Sequence, residues 1–204
     1  MLKKTMIAGM ALFMLSCGNS NKEEQNSETS SVLDKVSNLS KIASAGDKVE
    51  EITKKLKGLT PLTNDELKAV VPETLNGLKR KSYNAGGLSA VGGLSSIEAE
   101  YGDDIKSIKV GIIDGAGETG SAMVSLLALS LSMNTESENA DTKTKTTEIN
   151  GIRTLTEDTK RDESVSSSIK YLYKERYSIS LDGNGYTLSE LESFMKELNT
   201  SALK

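Results

Sequence analysis

A chain of 204 residues with 25 Lys and Arg against 29 Asp and Glu is mildly acidic and has no basic tract, which argues against non-specific nucleic-acid binding. It has no histidine, and so lacks the usual general base near neutral pH, the partner in Ser-His-Asp and Cys-His catalysis, and the commonest zinc ligand. Its single cysteine, Cys17, rules out an intrachain disulfide, so stability must come from a packed core.

The first elements concern location. Lys3 and Lys4 form a positive head, and Met6 to Leu15 form an apolar stretch too short for a stable bilayer span. Ser16 is small, Cys17 follows, and Gly18-Asn19-Ser20 turns polar at once. This pattern resembles a bacterial lipoprotein signal, in which the cysteine thiol is lipidated and becomes the first mature residue. The places three and two before the cysteine hold Met14 and Leu15, where the motif favours an aliphatic and then a small residue. The resemblance implies palmitate-type acylation at Cys17 and anchoring to a membrane. Each buried methylene contributes about 0.8 kcal/mol, so two or three chains hold a domain stably where one does not. Gly18, in place of Asp, resembles the outer-membrane default of Gram-negative lipoproteins. Lys22-Glu23-Glu24 resembles the export tag of surface lipoproteins in the Bacteroidota. Residues 1–16 are therefore read as a signal peptide and 17–31, rich in Asn, Ser, Glu and Gln, as a disordered tether.

Next, Val32, Val36, Leu39, Ile42, Ala45, Val49, Ile52, Leu56 and Leu59 recur every three or four residues, which predicts an amphipathic helix over 32–59. Residues 60–204 read as one α+β domain. Thr63-Asn64-Asp65-Glu66 is a capping box, and Pro72 ends the turn it opens. Gly86-Gly87-Leu88-Ser89 is echoed by Gly92-Gly93-Leu94-Ser95, a glycine-rich loop. Ile97 to Tyr101 and Ile108 to Ile112 alternate around Gly102-Asp103-Asp104 as a hairpin. Glu118 to Met133 reads as an apolar helix and Asn134 to Lys145 as a loop. Asn150-Gly151 joins two short strands, since both turn residues tolerate positive φ. Strands near Val165 to Tyr173 and Tyr177 to Leu181 follow, then a helix from Thr187 to Leu198. Tyr171, Tyr173 and Tyr177 read as packing across the sheet, and Lys170, Lys174, Glu175 and Arg176 as a solvated edge. The expected architecture is an antiparallel sheet of about six strands (two strands, a helix, four strands, a helix), with helices packed on one face. At the level of fold, it is loosely similar to Mog1/PsbP-like proteins.

Two motifs suggest ligands. Gly115-Ala116-Gly117-Glu118-Thr119-Gly120 matches GxGxxG between a strand and a helix. The surrounding pattern is a meander without βαβ units, and no acid follows at the end of a second strand, so no nucleotide is expected. Asp182-Gly183-Asn184-Gly185 resembles the centre of an EF-hand loop, which makes Asp182, Asn184 and Glu190 the candidate calcium ligands. Ser180 and Leu191 stand where that motif wants acids. No cofactor is expected.

Val71 to Arg80, Ala99-Glu100-Tyr101-Gly102, Ile113 to Gly117 and Gly185 to Leu191, in that order, resemble an uncharacterised family of bacterial envelope proteins. The resemblance carries no activity with it. The expected function is a non-enzymatic, lipid-anchored outer-membrane or cell-surface lipoprotein. It would bind a protein partner or an apolar ligand through the Gly86 to Leu94 loop and the uncovered sheet face. A calcium-dependent module built on the Asp182 turn, or an enzyme working without histidine, is the alternative.

Overall fold

The structure is a computed structural model and describes residues 44–89 and 92–204. Cys17, the expected leader and tether, and the first part of the expected amphipathic helix lie outside the described residues. Helix α1 covers residues 44–57, and α2 (Asn64–Lys68) opens on the Thr63–Glu66 capping box. Then come β1 (Thr74–Leu75), β2 (Leu78–Ala85), β3 (Ser96–Gly102) and β4 (Ser107–Asp114). Helix α3 (Gly117–Ser132) leads to β5 (Glu136–Glu138), β6 (Thr142–Ile149), β7 (Ile152–Arg161), β8 (Ser164–Tyr173) and β9 (Tyr177–Asn184), and α4 (Leu188–Glu197) follows.

The strands form one antiparallel sheet in the order β1-β2-β3-β4-β9-β8-β7-β6-β5. Two meanders build it. The first ends at β4. Helix α3 then carries the chain across to the far edge, and the second meander returns until β9 pairs with β4 along the whole of that strand. The expected sheet of about six strands thus has nine. The additional strands are β1, β2 and β5, which carry little periodic apolar signal. All of β5 is exposed, and β2 buries none of its side chains fully.

Alternate residues of a strand point to opposite faces. One face carries Ile97, Ala99, Tyr101, Ile108, Val110, Ile112, Ile169, Tyr171, Ile179 and Leu181, all buried. Leu67, Val70 and Val71 cover it at one side, and Leu191, Phe194 and Met195 of α4 with its C-cap Leu198 at the other. Fully burying each aliphatic side chain contributes roughly 1.5–3 kcal/mol, which makes this cluster the main source of stability.

The helices are not confined to that face. Leu172 alternates with the core residues Tyr171 and Tyr173, so it points the other way. It packs with Ile52 and Leu56 of α1 and with Val124 and Ala128 of α3. Helices α1 and α3 therefore cover one end of the second face, which corrects the expectation of helices on one face. The crossover is the reason: the connection from β4 to the far edge must pass over the sheet, and the face already filled by α2 and α4 is closed to it.

Candidate functional site

Beyond α1 and α3 the second sheet face is open, and its composition follows from the register. Lys109, Asp182, Ser168 and Glu157 stand side by side across β4, β9, β8 and β7. Gly111, Ser180 and Lys170 form the next row. Where that face meets the β2–β3 connection it sinks into a cleft of about 330 Å³. Gly111, Ser178 and Ser180 make the floor, Ile113 and the paired Glu98 and Asn84 stand beside it, and Leu88 of the β2–β3 connection lines its mouth. The small floor is what creates the depression: a Cβ on Gly111 would lie 2.7 Å from the Ser180 hydroxyl.

The β2–β3 connection is held from both ends. The Gly86 amide donates to the Ser96 carbonyl at 2.8 Å, and the Ser89 and Gly93 amides donate to Gly86 and Ser89. The Thr119 hydroxyl donates to the Gly92 carbonyl at 3.2 Å, tying the connection to the first turn of α3. Gly92 has φ +60, and a side chain there would collide with Thr119. Leu88 is left 41% exposed at the mouth. Residues 90 and 91 of the expected contact loop lie outside the described residues.

Behind the cleft, Asp114 ends β4 fully buried and accepts both arms of the Arg176 guanidinium, at 2.7 and 2.8 Å. Its hydrogen bonds to Arg176 hold that guanidinium even more firmly protonated than usual. Arg176 was expected on a solvated edge; instead it links two central strands, because β8 and β9 lie mid-sheet. The GxGxxG glycines belong to the same junction. A Cβ on Gly115 would lie 2.6 Å from the Arg176 carbonyl, one on Gly120 would strike the Asp114 carbonyl, and Gly117 has φ +80. Each glycine thus has a packing or backbone role.

The calcium candidates are kept apart. Asp182 and Asn184 lie on β9, and Asp182 points to the open face beside Lys109 and Ser168. Glu190 belongs to α4, on the other face. Its carboxylate accepts from the Thr187 amide and hydroxyl and pairs with Lys106 at 2.8 Å. Lys106 first, and then Thr187, hold its pKa down to about 2. Among the described residues no group of three or more acids, cysteines or histidines is placed to hold a metal ion. Of the three tyrosines, Tyr171 and Tyr177 are buried core residues, and burial pushes both phenols upward.

Chemically, the cleft offers three hydroxyls (Ser96, Ser178 and Ser180), one carboxylate, one amide and two apolar walls. Lys170 is in register with Ser180, but no hydrogen bond links them. This set suits an extended polypeptide, whose backbone needs donors and acceptors and whose side chains need apolar contact. The Gly86 to Leu94 loop was expected as a contact surface from its glycines. The floor was not, since Gly111 and Ser180 come together only through the β4–β9 pairing.

No family model, curated protein or solved structure matches this chain.

Proposed function

We propose that this chain is a lipid-anchored bacterial envelope protein of the outer membrane or cell surface, non-enzymatic, that binds an extended segment of a protein partner in the cleft beneath Leu88. One observation carries the reading: the only cysteine closes a basic-then-apolar leader and is followed at once by polar sequence. The cleft supports the second half of the proposal. Its walls mix hydroxyls with Leu88 and Ile113, a lining that favours a peptide over the apolar ligand considered from sequence. Two measurements test it. Cells fed labelled palmitate should label the wild type and not Cys17→Ser; an unlabelled wild type would remove the anchor. A photocrosslinker at Leu88 should trap one envelope protein in intact cells, whereas the same probe at Lys196 on α4 should not. Indistinguishable adducts from the two positions would remove the contact site.

A further inference from the structure

Seven large hydrophobic side chains are exposed among the described residues, and four of them, Met123, Leu126, Leu129 and Met133, belong to α3 and its C-cap. Their spacing of three, three and four residues puts them in one row. Buried Val124, Ala128 and Leu131 face the opposite way. No charged residue occurs between Glu118 and Glu136, so the row has no charged neighbour on its own helix. Helix α1 lies alongside, antiparallel. Lys57 pairs with Glu118 at 2.7 Å at one end, and Ala45 adjoins Leu131 and Ser132 at the other. Helix α1 thus flanks α3 and leaves the outward row uncovered.

We propose that this outward face of α3 lies on the bilayer, with Met123, Leu126, Leu129 and Met133 entering the lipid–water interface. The inference rests on the lipid-anchor reading above. Among the described residues no helix is long and apolar enough to cross a membrane, and α3 spans only 16 residues, so it would lie in the plane of the surface. Size decides between a membrane and a second copy. Four half-exposed side chains make a patch of at most a few hundred Å², well short of the ~800 Å² per partner that a stable dimer buries. A tethered domain needs far less. The 26 residues between Cys17 and Ser44 keep it within tens of ångströms of the surface. Docking is then intramolecular, and its effective concentration makes a weak apolar contact sufficient. An uncharged row also selects for the apolar interface itself rather than for anionic headgroups.

The test uses the full lipidated chain in phosphatidylcholine vesicles that carry nitroxide-labelled lipids. Bimane is placed on Leu126→Cys or, as a control on the other side of the sheet, on Lys196→Cys. The expected result is several-fold stronger quenching at position 126 than at 196, abolished when Met123→Glu is added. Equal quenching on vesicle-bound protein would overturn the proposal while leaving the anchor standing. So would efficient disulfide formation between two copies of unlabelled Leu126→Cys protein, together with no quenching of the labelled form, which would assign the face to self-association. Protein that neither floats with the vesicles nor takes up palmitate would remove the anchor, and this inference with it.

Discussion

The carboxylate of Asp114 and the guanidinium of Arg176 form a two-point ion pair at the end of the central strand pair, with side-chain exposures of 0% and 15%. The same carboxylate accepts from the Leu62 amide at 2.8 Å and the Ala116 amide at 3.0 Å. One side chain therefore fixes the segment before α2, the turn into α3 and the β8–β9 turn. Asp114→Ala leaves a largely buried cation and two amides without their partner, a loss of about 3–5 kcal/mol. The double variant with Arg176→Met should recover part of it, because no unpaired charge then remains. Urea denaturation of the single and double variants measures both. A single-variant loss below about 1 kcal/mol, the value of a surface pair, would contradict this account.

That pair also shows what the sequence concealed. Asp114 and Arg176 stand 62 residues apart, and no local pattern links an acid ending one strand to a base in a distant turn. Arg176 among Lys174 and Glu175 reads as surface until β8 and β9 are known to be central. Local chemistry was legible. Thr63–Glu66 forms its capping box, and Asn150-Gly151 turns with φ 52 and 75. Asn76-Gly77, with φ 47 and 80, is the same turn between β1 and β2. Its signal was present but stood beside strands too short or too exposed to register as a pair. The polar Glu136-Ser137-Glu138 strand had no signal at all: it pairs only with β6, at the sheet edge. The cleft depended on the β4–β9 pairing, so its glycine-rich loop was readable and its floor was not.

The two capping boxes predict an acid dependence of stability. Lys204 first, then Thr63, hold Glu66 down to about 2, and Lys106 with Thr187 do the same for Glu190. A carboxylate whose folded pKa is lowered contributes stability above its unfolded value, here near 4.5, and loses it as pH falls toward the folded value. The urea midpoint should therefore decline between about pH 4.5 and pH 2. Glu66→Gln with Glu190→Gln should flatten that decline. An unchanged slope in the double variant would show that other groups control it.

Two glycines should respond in opposite directions to the same substitution. Gly120 faces the Asp114 and Gly115 backbone with no room for a methyl group, whereas Gly46 in α1 has nothing within 4 Å. Gly120→Ala must push α3 away from the sheet and should cost about 1–3 kcal/mol. Gly46→Ala meets open space and removes backbone freedom from the unfolded chain, so it should stabilise by about 0.5–1 kcal/mol. Thermal denaturation with matched buffers reads both signs. Destabilisation by Gly46→Ala would contradict an open neighbourhood at that position.

The cleft makes the last prediction, which separates binding from folding. Gly111 lies on the floor with its missing side chain directed at Ser180, and the hydroxyl it would meet is the movable end of a short side chain. Gly111→Val should displace that hydroxyl and raise the floor. It also replaces glycine in a central strand with a residue that favours β structure, so the stability change should stay within about 1 kcal/mol. Leu88→Ser, at the exposed mouth, should be similarly mild, since it removes little buried area. If the cleft receives a partner segment, each variant should sharply reduce the Leu88-region crosslink, with the probe moved to Asn84 for the second, while palmitate labelling and the urea midpoint hold near wild type. Crosslinking that survives a filled floor would place the contact elsewhere on the open sheet face, and the row of Lys109, Asp182 and Ser168 would be the next position to probe.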